Sequence, residues 1–144
     1  MDRETIKGRW SILAWEQRYD DGRVVLPMGT QLEGFIEYSD FGMFCVIARQ
    51  GRDAFSSGGQ WSAEDGEKAA AYNSYLTYAG DFAVEGNTII HKVRHSIFPN
   101  WVGGLQQRNA VLDGDVLSLT ARLEEGTPEA RTACLQWVRV AAAQ

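Results

Sequence analysis

Apolar and polar residues alternate along most of this chain, and short turn signals interrupt the alternation at intervals. Period-two alternation belongs to strands with one buried face. Asp21-Gly22, Gly86-Asn87 and Asp113-Gly114 are hairpin turn pairs, and Gly42 suits the left-handed position of a short loop Asp40–Gly42. Between these signals the pattern predicts eight main strands: Arg9–Tyr19, Leu32–Ser39, Met43–Arg49, Tyr78–Glu85, Thr88–Ser96, Leu105–Asp113, Val116–Glu124 and Arg131–Val140. One segment departs from this. Ser62 followed by Asp65 resembles a capping box, and Ala63 to about Tyr75 predicts a short helix that Gly66 weakens. Strands at this spacing indicate an all-β sandwich or barrel.

Turn positions also predict which residues share a face. Closing the chain at Gly86-Asn87 places Phe82 opposite His91, Gly80 opposite Val93 and Tyr78 opposite His95. A turn at Asp40–Gly42 places Tyr38, Ile36 and Gly34 opposite Phe44, Val46 and Ala48. The turn near Gly114 puts Arg108, Ala110 and Leu112 on the face of Leu117, Leu119 and Ala121. These sets are mostly apolar, whereas their alternates (Glu33, Glu37, Lys92, Arg94, Ser118, Arg122) are polar. One face is therefore buried, and its few polar members are candidates for chemistry.

Composition narrows the partners. At 144 residues the chain suits one domain. A formal charge of -5 without a Lys/Arg run argues against a nucleic-acid or anionic-membrane partner. No stretch approaches the ~18 apolar residues of a membrane span, and the charged start Met1–Trp10 lacks the apolar region of a secretion signal, so a cytoplasmic location is expected. Cys45 and Cys134 are then expected as reduced core or wall thiols. No nucleophile elbow, phosphate loop, dinucleotide fingerprint or paired-cysteine motif is present, and no cofactor is expected. Association of two barrels as a homodimer stays open.

Gly8-Arg9-Trp10, the Gly34–Met43 hairpin, Tyr72–Gly80 and His91–Arg108 occur in an order that resembles the lipocalin-like domain family over nearly the full chain. The matching patterns are G-x-W, G-x-I-x-Y-S-x-x-G-x-M, Y-x-x-Y-x-x-Y-x-G and H-x-V-x-x-S-x-x-P-x-W-x-G-x-x-Q-x-R. The resemblance implies an eight-stranded antiparallel up-and-down barrel with a central cavity. The helix about 63–75, lying between two strands, is expected to cap one mouth. The resemblance also implies that Trp10 closes the opposite end against Arg139. It names no ligand; some related proteins act as cyclases or isomerases.

An eight-stranded barrel can be filled by side chains or hold one small ligand. His91 and His95 lie four apart, a metal-ligand spacing on a helix. On a strand they share a face but stand ~13 Å apart, so no shared metal is expected. If the Ile97–Gly104 loop closes symmetrically, Gln106, Arg108 and Ala110 face His95, Val93 and His91. The expected cavity wall then comprises Tyr78, Phe82, His91, His95, Gln106 and Arg108, extended by Tyr38, Phe44 and Tyr75, with Trp101 on a lid loop. An inward arginine without a carboxylate suits a ligand carboxylate, enolate or phenolate. The leading expectation is binding of a small hydrophobic or aromatic ligand with an anionic or polar end. One alternative is a cofactor-free isomerase, cyclase or lyase. There His91 or His95 would move a proton, Tyr78 or Tyr75 would be the partner acid, and Arg108 would stabilise an oxyanion. Another is a filled barrel serving as a structural or interaction module.

Overall fold

The computed structural model describes residues 1–141. Its elements are α1 (Arg3–Ile6), β1 (Gly8–Tyr19), β2 (Val24–Val25), β3 (Leu32–Ser39), β4 (Gly42–Arg49), α2 (Asp65–Asn73), β5 (Tyr75–Glu85), β6 (Thr88–Ser96), β7 (Leu105–Asp113), β8 (Val116–Leu123) and β9 (Arg131–Arg139). Antiparallel pairing runs β1-β3-β4-β5-β6-β7-β8-β9 and returns from β9 to β1, which closes an eight-stranded barrel. The two-residue β2 folds back on β1 after the Asp21-Gly22 turn. Each of the eight predicted strands is present, with ends moved by at most a few residues.

The two ends of the barrel differ. The β3–β4, β5–β6 and β7–β8 turns gather at one end, and the long connections gather at the other. The tight-turn end is sealed by α1. Asp2 caps this short helix by accepting from the Thr5 N–H at 2.9 Å. Ile6 is fully buried, and the Trp10 indole donates to the Ile6 carbonyl at 2.9 Å. Arg139 stacks over Trp10 at 4.2 Å and donates to the Thr5 and Lys7 carbonyls. Its guanidinium thereby satisfies carbonyls at the helix C-terminus that have no partner within the helix. Trp10 and Arg139 thus close this end as the family resemblance implied. Ile36, Tyr38, Phe82, Ile89 and Leu117 form the core beneath.

Four local features depart from the simple alternation. The β3–β4 turn has two residues, Asp40 and Phe41, because Gly42 pairs with Ser39. Tyr38 therefore opposes Met43, and Ile36 opposes Cys45. A one-residue change in loop length reverses every side chain of β4. Phe44 consequently faces outward, 42% exposed, beside Phe35.

Second, β6 carries a bulge at Arg94. Gly80 opposes Val93, but Ala79 opposes His95 and Tyr78 opposes Ser96. The additional residue turns His95 to the exposed outer face, while His91 stays 1% exposed inside. Gly80 makes this possible. A Cβ there would lie 1.9 Å from the Lys92 carbonyl oxygen, so the glycine serves close backbone approach rather than space beside Val93.

Third, β7 is shifted. Gly103 and Gly104 bond back to Val93, so Gln106 opposes His91 and Arg108 opposes Ile89. Faces are kept but depths change, because the loop is not symmetric. Fourth, β1 bulges between Ile12 and Ala14, leaving Leu13 half exposed.

The helix is shorter than expected. Glu64 is its N-cap residue and makes no side-chain cap, while Ser62 bonds to Gly59 N instead of forming a capping box. The Glu67 carboxylate accepts from the Ser56 and Ser57 N–H groups and so organises the preceding loop. No residue of α2 is buried. The helix lies in the β4–β5 connection at the mouth end, but contributes no side chain to the cavity.

Candidate functional site

At the mouth end the barrel encloses a cavity of about 510 Å³. Its apolar wall includes Ile36, Ile47, Leu76, Leu119 and Leu135, contributed by five strands. Among the sequence-predicted residues, Tyr78, His91, Trp101, Gln106 and Arg108 line it together. Tyr38 and Phe82 lie deeper, in the core beneath, with their rings edge-on at 4.9 Å. Three expectations are corrected. His95 and Phe44 point outward for the reasons given above. Tyr75 stands on the face alternate to Leu76 and Tyr78, with the Arg52 guanidinium 4.8 Å from its ring.

His91 is the centre of the polar cluster. Tyr38 Oη lies 2.7 Å from its Nε2, and Tyr78 Oη lies 3.1 Å from its Nδ1. Burial, assisted by the Arg108 charge, pushes the His91 pKa down to about 3, so the ring is neutral at pH 7. A neutral imidazole has one N–H and one bare nitrogen. Among the described residues neither hydroxyl has another hydrogen-bond partner. One phenol therefore donates to the bare ring nitrogen and the other accepts from the ring N–H. Burial raises both phenols and pushes the Cys45 thiol up to about 12. Tyr38, His91 and Tyr78 are thus an uncharged hydrogen-bonded cluster.

Arg108 supplies charge beside it. Its Nη2 donates to Gln106 Oε1 at 3.0 Å and its Nη1 to the Gln107 carbonyl at 3.4 Å. Among the described residues no carboxylate pairs with it. The other cavity-lining arginines, Arg122 and Arg131, are held near the mouth by Asp20, Glu125 and Glu124. No Asp or Glu lines the cavity. The ring of Trp101, on the 3₁₀ turn Pro99–Trp101, meets Tyr78 and Phe98 edge-on, each at 5.5 Å between centroids. It forms part of the wall where the β6–β7 connection folds over the mouth.

Sequence reasoning missed Trp15 and Trp137, which also line the cavity together with Cys45, the expected core or wall thiol. Trp137 carries a usable signal, since it lies two residues from the inward Arg139. Trp15 does not, because the β1 bulge changes the face between Ile12 and Ala14. Both indole N–H groups, and Arg131 Nε, are buried without an acceptor among the described residues.

His91 and His95 lie on opposite faces of the wall, so they cannot hold one metal ion. Among the described residues no three His, Cys, Asp or Glu side chains are placed to hold one. Among the described residues no helix is long and apolar enough to cross a membrane.

Comparison with known proteins adds three findings. Over 67 residues the chain is 40% identical to the 4'-hydroxy-3'-methoxypropiophenone carrier protein ppsC of Aspergillus oryzae (strain ATCC 42149 / RIB 40). That match takes in 41% of this chain and 60% of the relative. No solved structure matches the chain. Residues 7–140 match the lipocalin-like domain family, and the chain belongs to that family.

Proposed function

We propose that this barrel binds and carries a small aromatic molecule with a polar or anionic end. The observation that carries the proposal is the mouth-end cavity, apolar in its walls and with Arg108 as an inward charge free of any carboxylate among the described residues. A volume of about 510 Å³ lies within the range of small-molecule sites, and an apolar cavity of only ~150 Å³ already admits benzene. Space of this size at the mouth end favours binding over a filled structural barrel. The relative named as a carrier of a hydroxy-methoxy aryl ketone points to the same ligand class. We place the protein in the cytoplasm, with Cys45 and Cys134 as thiols.

Cofactor-free acid–base catalysis is the second reading, favoured by His91 and Tyr78 lining the cavity. Two features weigh against it. Both nitrogens of His91 are occupied by phenols, and a pKa near 3 makes the ring a poor base at neutral pH.

The test is titration of 4'-hydroxy-3'-methoxypropiophenone, followed by tryptophan quenching and calorimetry. Saturable 1:1 binding with the ligand recovered unchanged supports a carrier. Arg108→Met is expected to weaken binding about tenfold, as for loss of one charge-assisted hydrogen bond. Equal affinity in the variant would refute the role given to Arg108. Conversion of the probe, abolished in His91→Leu, would favour the catalytic reading.

A further inference from the structure

Every buried side-chain donor that lacks an acceptor among the described residues belongs to the wall of one cavity: Trp15 Nε1, Trp137 Nε1 and Arg131 Nε. Buried donors are normally paired, because an unmade hydrogen bond forfeits the hydration it replaced. Trp137 is only 1% exposed, so water does not reach it from outside. Elsewhere in the same protein the rule is kept. The Trp10 indole, equally buried, donates to the Ile6 carbonyl. The two orphaned indoles are therefore a property of the cavity and not of how this chain buries tryptophan.

Their placement is specific. Trp15 on β1 opposes Leu135 on β9, and Trp137 on β9 opposes Ile12 on β1. The two rings thus come from adjacent strands, one inward step apart. Arg108 is on β7, separated from β1 by β8 and β9. At ~4.8 Å per strand spacing, Trp137 stands about 10 Å and Trp15 about 14 Å from Arg108 along the circumference of the wall. The cavity between them has no carboxylate. Residues bearing unpaired or charged donors stand in two sectors of its wall, which suits a ligand with acceptors at two places.

We propose that Trp15 and Trp137 form a second polar anchor, selecting ligands that bring an uncharged acceptor oxygen, such as an aryl ketone carbonyl, besides the group held at Arg108. This deepens the binding function proposed above and rests on it. Both N–H groups lack accessible surface, so a ligand oxygen reaches them only as neighbouring atoms give way. An alkyl group in place of the carbonyl leaves both donors unpaired.

The experiment compares two probes of nearly equal shape, 4'-hydroxypropiophenone and 4-propylphenol. The first carries the carbonyl and the second a methylene in its place. The wild-type protein is expected to bind the ketone about tenfold more tightly, the discrimination typical of one buried hydrogen bond. In Trp15→Phe/Trp137→Phe, which keeps aromatic packing but removes both donors, the two affinities are expected to converge. In ¹⁵N-labelled wild-type protein, with its five tryptophans, two indole N–H resonances are expected to move downfield with the ketone and not with the alkylphenol. This readout needs no variant and stands even if the double substitution fails to fold. Equal affinity of the wild type for the two probes, a preference retained in the double variant, or unmoved indole resonances would overturn the anchor and leave the binding function standing. Binding of neither probe would overturn both.

Discussion

The contact between Tyr38 and His91 can be tested by a double-mutant cycle, because removing either partner alone strands the other. Tyr38 is 1% exposed and His91 1%, with 2.7 Å between Oη and Nε2. Tyr38→Phe deletes the hydroxyl and leaves Nε2 buried without a partner, at a cost of about 2 kcal/mol. His91→Leu keeps similar volume but strands the Tyr38 hydroxyl, again about 2 kcal/mol, and removes the bond to Tyr78, about 1 kcal/mol more. Independent sites would sum to about 5 kcal/mol, whereas the double variant leaves no stranded pair and is expected to cost only about 1.5 kcal/mol. For a domain of this size about 3 °C is lost per kcal/mol, so Tyr38→Phe alone is expected to lower Tm by about 6 °C. Urea unfolding of the four proteins, followed by circular dichroism and tryptophan fluorescence, measures the cycle. Additivity within about 0.5 kcal/mol would refute the assigned hydrogen bond.

Three further outcomes follow from the same geometry. The folded pKa of His91, about 3, lies below its ordinary value of 6.5, so the unfolded chain binds the extra proton. Stability is then full above pH 6.5 and falls as pH drops toward 3; between pH 7.5 and 5 the loss is about 2 kcal/mol, and the His91→Leu protein should lack that component in denaturant titrations. Gly80→Ala drives a Cβ against the Lys92 carbonyl, and a loss of about 3 kcal/mol is expected; an unchanged melting temperature would contradict the bulge. His95→Ala and Phe44→Ser alter outward side chains, so both should bind the ketone probe as the wild type does, and a tenfold loss in either would show that the inward face has been misassigned.

These features mark where sequence was legible. Strand positions follow from alternation and turn residues, and strong turn pairs set the facing nearby: Phe82 with His91, Ala110 with Leu119. Legibility failed where one residue changes the parity. Gly42 looked like a loop residue yet pairs within the β3–β4 ladder, which turned Phe44 outward. The bulge at Arg94 has no marker on its own strand. Its trace is Gly80 across the ladder, a glycine inside a strand where backbone approaches backbone. Arg108 and Gln106 were recognised as inward, but their depth depended on how Gly103 and Gly104 return to Val93, a backbone contact that no side-chain pattern encodes. Tyr38 was recognised as inward; its pairing with His91 across the barrel needs the closed sheet.

The polarity of the barrel also bears on how it can be attached to anything else. The helix α1 and the end of β9 meet at the sealed end, joined through Arg139 to the Thr5 and Lys7 carbonyls. A fusion partner, surface tether or label joined to either end of the described chain is therefore anchored at the pole away from the mouth. A ligand of the proposed kind would enter at one pole while the protein is held by the other.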